Sequence, residues 1–425
     1  MPVLILHYHE IWLKGYNRKF FISKLKEAVE YSLDGLPIRI VRHEENRILA
    51  WLDASGDENP QTITHEAVQR LRKVPGIAYL AIAQEFPPQL DQIVERGAEL
   101  MLKASFHTFA VRAKRSRKDI PFRAADIHQQ LGRRIEERAR EAGRTVKVDL
   151  DHPDSTCHVE ILNQRALVYT EKIPGLGGLP TGTAGRLVCL LSGGFDSTVA
   201  AYKIMRRGVR LCFVHFYGNP AQPGEDSPPI AQKLVRVLTP YQGRSQLFLV
   251  PFTEVQQQVV ALAPQSLRIL LYRRIMLRIA ERIARHTRSH GTVTGDSIAQ
   301  VASQTLQNME AVGGVATMPV YRPLAGDDKQ EILDTARRIG TYEISNEPFT
   351  DCCPLYLPKS PRIFSTVGEL DAAESALDIP VLVKRAFDAR RKEVYAYRAG
   401  KVNVQHSEER RSRYETAPAG MVVQA

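Results

Sequence analysis

Long apolar runs are missing from this chain of 425 residues, and no stretch approaches the roughly 20 residues of a membrane-spanning helix. A membrane partner is therefore not expected. The apolar start, Met1 to Leu6, gives way at once to His7-Tyr8-His9-Glu10, too short a run for a secretory signal. Cysteine is scarce: Cys157, Cys189, Cys212, Cys352 and Cys353 make five, an odd number with no C-x-x-C spacing. That argues against a disulfide framework, gives no support to a zinc knuckle or an iron–sulfur centre, and suits a reducing, cytoplasmic setting. Acidic residues are in deficit, 47 against 58 lysines and arginines, for a formal charge of +11. The imbalance favours a polyanionic partner, nucleic acid ahead of membrane. The length allows two or three domains with cores of their own.

What the chain does have is Ser192-Gly193-Gly194-Phe195-Asp196-Ser197, placed directly after the apolar run 187–191. Such a run reads as a strand buried on both faces of a parallel sheet. Thr198 to Arg206 then carries apolar residues at helical spacing, with Gly208 as a stop signal. The glycines therefore fall at a strand-to-helix turn, where backbone N–H groups and the helix dipole form an anion site. Gly193 and Gly194 let the main chain approach phosphate oxygens, Ser192 and Ser197 add hydroxyls, and Asp196 offers a hard oxygen to Mg²⁺. The Gly-Lys-Ser/Thr ending of a Walker loop is absent, so a kinase or GTPase reading is poor. The loop resembles the PP-loop of the ATP pyrophosphatases. That resemblance implies cleavage of ATP to AMP and pyrophosphate to activate a carbonyl oxygen, and leaves the substrate open.

Hydrophobic periodicity predicts an α+β start: a strand, a helix over 17–31, short strands near 38–41 and 48–52, a turn cluster at 53–60 and a helix over 65–73. Strands near 78–83, 108–112, 146–150 and 158–162 and helices over 89–105 and 125–142 follow. The glycine-rich stretch Lys172 to Gly185 reads as a linker. Beyond it, strands near 187–191, 209–216, 247–251 and 291–294 alternate with helices, which predicts a doubly wound parallel sheet binding ligands at its strand carboxyl ends. The expected divisions are 1–75, 76–171, a linker at 172–185, a catalytic domain at 186–400 and a polar tail at 401–425. Cys189 and Cys212 fall in strands and read as core. Cys352-Cys353 sits in a Pro-rich loop, a better place for thiol chemistry.

Arg112, Lys114, Arg115, Arg117 and Lys118 follow a short strand, and Arg133, Arg134, Arg138 and Arg140 lie on the next predicted helix. Clustered cations of this kind suit RNA phosphates. Interleaved Glu136, Glu137 and Glu141 offer the alternative of a self-paired, solvated helix face.

Several blocks in order resemble one family, the tRNA uracil 4-sulfurtransferases or 4-thiouridine synthetases. Glu10-Ile-Trp-Leu-Lys14-Gly15-Tyr-Asn17-Arg18-Lys19-Phe20 is similar to its N-terminal ferredoxin-like domain. Phe109-Ala-Val-Arg112-Ala-Lys114-Arg115 with the helix from Ala125 resembles its THUMP domain, and 169–180 its linker. Thr294-Gly295-Asp296-Ser297-Ile-Ala-Gln300-Val-Ala-Ser303-Gln304-Thr305 is similar to its second nucleotide motif, and Asp351-Cys352-Cys353-Pro354 to its cysteine loop. Thr198 and Asp296 stand where Pro and Glu are expected.

The resemblance implies a ferredoxin-like domain, a THUMP domain and a PP-loop domain, in a form without a rhodanese domain. Leu190, Leu191, His215 and Phe216 would border the adenosine, with Arg273, Gly295 and Gln304 at other nucleotide positions. It further implies ATP and Mg²⁺ as cofactors, tRNA as substrate, and 4-thiouridine at tRNA position 8 as product. Cys353 would carry the sulfur as a persulfide, with Cys352 the runner-up or the resolving thiol. A cysteine desulfurase or other persulfide donor is implied as partner, as is a homodimer. Two rival readings remain: sulfur transfer to a carrier protein for thiamine thiazole synthesis, and a non-catalytic tRNA-binding THUMP protein.

Overall fold

The computed structural model describes residues 2–53, 59–116, 120–218, 229–347 and 362–408. The chain divides into two compact units, Met1–Pro180 and Thr181–Ala425.

The first unit contains β1 (Pro2–His7), α1 (Arg18–Leu33), β2 (Ile38–Glu44), β3 (Arg47–Leu52), α2 (Pro60–Leu71), β4 (Tyr79–Phe86), α3 (Leu90–Met101), β5 (Thr108–Arg115), α4 (Ala124–Glu141), β6 (Lys147–Val148), β7 (Ser155–Leu162), β8 (Arg165–Tyr169) and β9 (Ile173–Pro174). Among the described residues its strands make one sheet, ordered β2-β3-β1-β4-β8-β7-β5-β6, with β9 beside β4. Strand alternation sorts the two faces. Leu4 and Leu6 meet α1 and α2 through Leu25, Val29, Ala67 and Leu71, while Val3 and Ile5 pack on Leu49, Ala81 and Leu167 on the other side. Val159 and Ile161 meet α3 and α4 through Ile93, Ala98, Ile127 and Leu131.

The sheet is strongly coiled. Arg47 on β3 hydrogen-bonds Glu160 on β7, although β1, β4 and β8 lie between them in the sheet order. In a flat sheet that separation would be about 19 Å, four strand spacings. The first unit also corrects three sequence expectations. The second helix begins at Pro60, because the Asn59 side chain caps it and proline at N1 is already in helical φ. No break falls at 75–76, because β4 pairs with both β1 and β8. The start of the linker at 172–185 is a docked strand: β9 pairs with β4, and a Cβ on Gly175 would sit 2.3 Å from the Ile77 carbonyl oxygen.

The second unit runs β10 (Arg186–Leu190), α5 (Phe195–Met205), β11 (Arg210–Tyr217), α6 (Pro229–Leu238), β12 (Arg244–Pro251), α7 (Thr253–Leu262), α8 (Arg268–His286), β13 (Thr292–Val293), α9 (Leu306–Gly313), β14 (Val320–Tyr321), α10 (Lys329–Ile339), α11 (Tyr342–Ser345), α12 (Val367–Glu374), α13 (Ile379–Asp388), β15 (Arg391–Arg398) and β16 (Lys401–Glu408). Its sheet order is β14-β13-β10-β11-β12-β15-β16. The first five strands are parallel, as expected for a doubly wound sheet. Helix α8 forms the spine of its core, with Leu271, Tyr272, Ile275 and Ile279 against Val214, Phe216, Phe248 and Val250.

The polar tail expected from 401 is corrected over its first eight residues. Lys401–Glu408 is an antiparallel edge strand on β15. Ala399 and Gly400 both have positive φ, 46° and 77°, which makes the two-residue turn whose twist suits a hairpin. Alanine in the place usually held by Asn or Asp hid that signal, and a polar edge strand reads like a tail. No helix among the described residues is long and apolar enough to cross a membrane.

Candidate active site

Strand β10 ends at Leu190 and α5 starts at Phe195, so the Ser-Gly-Gly loop is the strand-to-helix turn that the sequence predicts. The helix begins three residues earlier than its apolar spacing suggested, which places Asp196 and Ser197 on its first turn. The Ser197 hydroxyl braces the loop from within. It accepts from the Ser192 N–H at 3.1 Å and lies 3.3 and 3.0 Å from the Ser192 and Gly194 carbonyl oxygens. No side chain caps α5, because its N-cap is Gly194. Its first N–H groups thus point into the cradle at the positive end of the dipole.

Gly295 closes the cradle from the far side. A Cβ there would meet the Ser197 nitrogen at 2.7 Å and the Asp196 carbonyl carbon at 2.8 Å, so only glycine lets the two segments touch. Thr198 also has an account: it is fully buried, donates to the Phe195 carbonyl at 2.7 Å, and meets the Thr341 hydroxyl at 3.0 Å. It thereby ties the start of α5 to the segment after α10.

The Asp196 carboxylate faces two residues to which the sequence assigned no role. Lys329 Nζ lies 3.0 Å from Oδ1 and 3.3 Å from Oδ2, and Gln300 Nε2 donates to Oδ2 at 3.0 Å. Lys329 also sits over the Phe195 ring, 4.3 Å from its centroid. It occupies the first turn of α10, where the helix dipole disfavours a cation. The Asp328…Glu331 capping box marks that helix start and was the available signal.

Asp296 is the second hub. Its carboxylate is buried and takes Arg273, the Thr294 hydroxyl at 2.8 Å, the Gln304 amide at 3.4 Å and, at 3.5 Å, Arg322. Burial alone would raise its pKa, but Arg273, Thr294 and Arg322 together hold it below the usual carboxylate range. Arg273 also donates to the Ser303 carbonyl at 3.0 Å. Arg273, Gln304 and Gly295 therefore share one constellation with the loop. Oε1 of Gln304 is buried with no hydrogen-bond partner among the described residues.

At the ends of β10 and β11, Leu190 is half-buried and Leu191 and Phe216 are buried. His215 Nδ1 lies 2.8 Å from the Leu191 carbonyl oxygen, which locks the two strand ends together. Phe216 points into the core against Phe252, with ring centroids 5.4 Å apart, so its backbone rather than its ring borders the site.

In the first unit the basic run is partly committed to the fold. Arg112 donates to the Leu150 carbonyl and Arg115 to that of Phe122, while Lys114 is exposed. On α4, Arg133 pairs with Glu137, and Arg134 and Arg138 pair with Glu95 of α3. Of the interleaved glutamates Glu137 takes up the self-paired alternative, while Arg134 and Arg138 are tied across to α3. Arg117, Lys118, Cys352 and Cys353 lie outside the described residues. Cys157, Cys189 and Cys212 are buried, and burial pushes the first two thiols up to about 12, which makes them poor nucleophiles.

Comparison with known proteins adds independent findings. Residues 182–379 match the family model described as thiamine biosynthesis protein (ThiI), residues 3–81 the ThiI ferredoxin-like domain and residues 88–171 the THUMP domain. The chain is 37% identical to a probable tRNA sulfurtransferase of Moorella thermoacetica, over 91% of this chain and 95% of that protein. It is 39% identical to one of Thermus thermophilus, over 93% and 94%. Among solved structures it is similar to a 4-thiouridine synthetase in complex with RNA and bound ATP, with a TM-score of 0.80 and 34% identity over 93% of this chain and 99% of that one.

Proposed function

This chain belongs to the tRNA sulfurtransferase family, and from that premise we propose that it uses ATP to make 4-thiouridine at position 8 of tRNA. The observation that carries the reading is the meeting of Asp196 and Lys329 at the mouth of the phosphate cradle. The dipole of α5 favours Asp196, but that of α10 disfavours the Lys329 cation, so helix stability does not account for the pair.

ATP binds with its phosphates on the Ser192–Ser197 loop and its adenosine along the ends of β10 and β11. The orphan Oε1 of Gln304 is an acceptor available to an N–H group of the ligand. The uracil oxygen at ring position 4 attacks the α-phosphorus, and the bond to pyrophosphate breaks. The loop N–H groups and Lys329 stabilise the charge that gathers on the departing group. A terminal persulfide sulfur on Cys353 then attacks the activated ring carbon, and AMP leaves with the former carbonyl oxygen. Cys352 is placed next in sequence to break the remaining S–S bond, leaving a disulfide for a cellular thiol to reduce. The donor set fits Mg²⁺ only as a guest of the phosphates: Asp196 is one carboxylate, and no group of three metal-ligating side chains occurs among the described residues. When bound there, it would neutralise phosphate charge.

The direct test is in vitro thiolation with purified chain, ATP, Mg²⁺, unmodified tRNA and sulfide. ATP-dependent 4-thiouridine is expected, and its absence by mass spectrometry would overturn the reading. Cys353→Ser is expected to lose thiolation with a cysteine desulfurase as donor and to retain it with free sulfide. Gly295→Ala forces a methyl against backbone atoms of the loop, an overpacking cost of about 1–3 kcal/mol. That corresponds to roughly 5- to 150-fold weaker ATP binding by calorimetry. The match to a thiamine biosynthesis family also supports a second acceptor, a sulfur-carrier protein, with the same adenylation chemistry.

A further inference from the structure

The geometry points to a second polyanion surface on the C-terminal unit, at the opposite end of its parallel strands from the cradle, which takes the phosphate backbone of RNA. Arg186 opens β10, Arg210 opens β11 and Arg244 opens β12. Arg186 pairs in register with Arg210, and Arg244 lies two residues before Gln246, just as Arg210 lies two before its partner Cys212. Three arginines thus stand side by side on neighbouring strands about 4.8 Å apart. Like charges opposite one another weaken a sheet, so the row itself carries a cost.

Two adjoining hollows flank it. One, about 350 Å³, is lined by Arg186, Arg288 and Lys392. The other, about 120 Å³, is lined by Arg186, Arg210 and Arg244, and Gln246 borders both. Among the described residues neither lining includes a carboxylate. The C-terminus of α8 accounts for one cation, since Arg186 donates to the Thr287 carbonyl at 2.9 Å. The exposed Arg244 and Arg288 are not needed to meet the partial negative charge of one helix end.

Arg210, Arg244 and Arg288 are exposed, which makes the surface an open track rather than a closed pocket for a small anion. An RNA strand, with one phosphate per nucleotide, meets such a row more than once. The inference rests on tRNA as the substrate and extends its footprint beyond the first unit and the reacting uridine.

The test is filter binding of unmodified tRNA to the full chain across a salt series, comparing the parent with an Arg244→Gln, Arg288→Gln double variant. Both positions are exposed, and an unchanged melting temperature checks that the variant folds. The variant is expected to show a log affinity against log salt slope shallower by about 1.4–1.8 and roughly tenfold weaker binding near 0.1 M salt. Its thiolation rate at saturating tRNA should match the parent. An unchanged slope and affinity would overturn the surface, as would lost binding of inorganic phosphate with unchanged RNA binding. A parent that binds tRNA more steeply than the variant yet never thiolates it would support the surface and overturn the functional reading.

Discussion

Asp196→Asn is expected to cut ATP-dependent thiolation by about 10²–10³-fold while leaving tRNA affinity unchanged. Asparagine keeps the size of the side chain and one acceptor oxygen for Gln300, but it removes the charge that faces Lys329. Lys329→Met is expected to lose a similar factor, for the complementary reason that the developing pyrophosphate charge has lost its cation. Because the two groups touch, their losses should not add: the double variant should be little slower than the worse single one. Single-turnover kinetics at saturating ATP and tRNA measures this. A near-parental rate for Asp196→Asn would reduce the pair to a surface ion pair and remove the main support for catalysis at this loop.

Glu160→Ala is expected to destabilise the first unit by about 3–5 kcal/mol, the usual result of leaving a buried cation without its partner. Glu160 is 3% exposed; one oxygen takes the Tyr169 hydroxyl at 2.7 Å and lies 3.2 Å from His7 Nε2, and the other takes Arg47. These contacts join β1, β3, β7 and β8 across the inside of the coil. The melting temperature of the first unit should fall by about 6–20 °C, read by calorimetry that resolves the two units. Loss under 1 kcal/mol would show that the network does not hold the coil.

The same network sets an acid limit. Burial alone would raise Glu160, but His7, Arg47 and Tyr169 hold it down to about 2. Its contribution is therefore complete above the ordinary glutamate range and lost as pH falls toward 2. Burial lowers His7 and takes His158 to about 4, so the unfolded chain binds those protons first. Stability should thus begin to fall just below pH 6.5, where free histidine titrates, and fall further below about 4.5 as glutamate protonates. Glu160→Ala should flatten the lower part of that profile.

Much of the loop's local structure was legible because it is contiguous. The cradle needs a strand, two glycines, flanking hydroxyls and a helix start within some ten residues, and local pattern specifies such a unit. The parallel sheet followed from apolar runs alternating with helical spacing, and the family from ordered blocks such as Thr294 to Thr305. Arg112 and Arg115 read from sequence as solvated cations suited to RNA phosphates, yet each guanidinium also donates to a backbone carbonyl. A long cation looks the same in sequence whether it is solvated, paired or buried.

By itself the sequence determined the strand-to-helix turn at Ser192–Ser197, the order of domains and the family, all of which depend on neighbours along the chain. Only the tertiary structure decided what that loop faces. Lys329 reaches Asp196 across 133 residues and Gln300 across 104, while Arg47 reaches Glu160 across 113. Such pairs are set by strand order and sheet coiling, which bring distant segments together through packing that no local periodicity encodes.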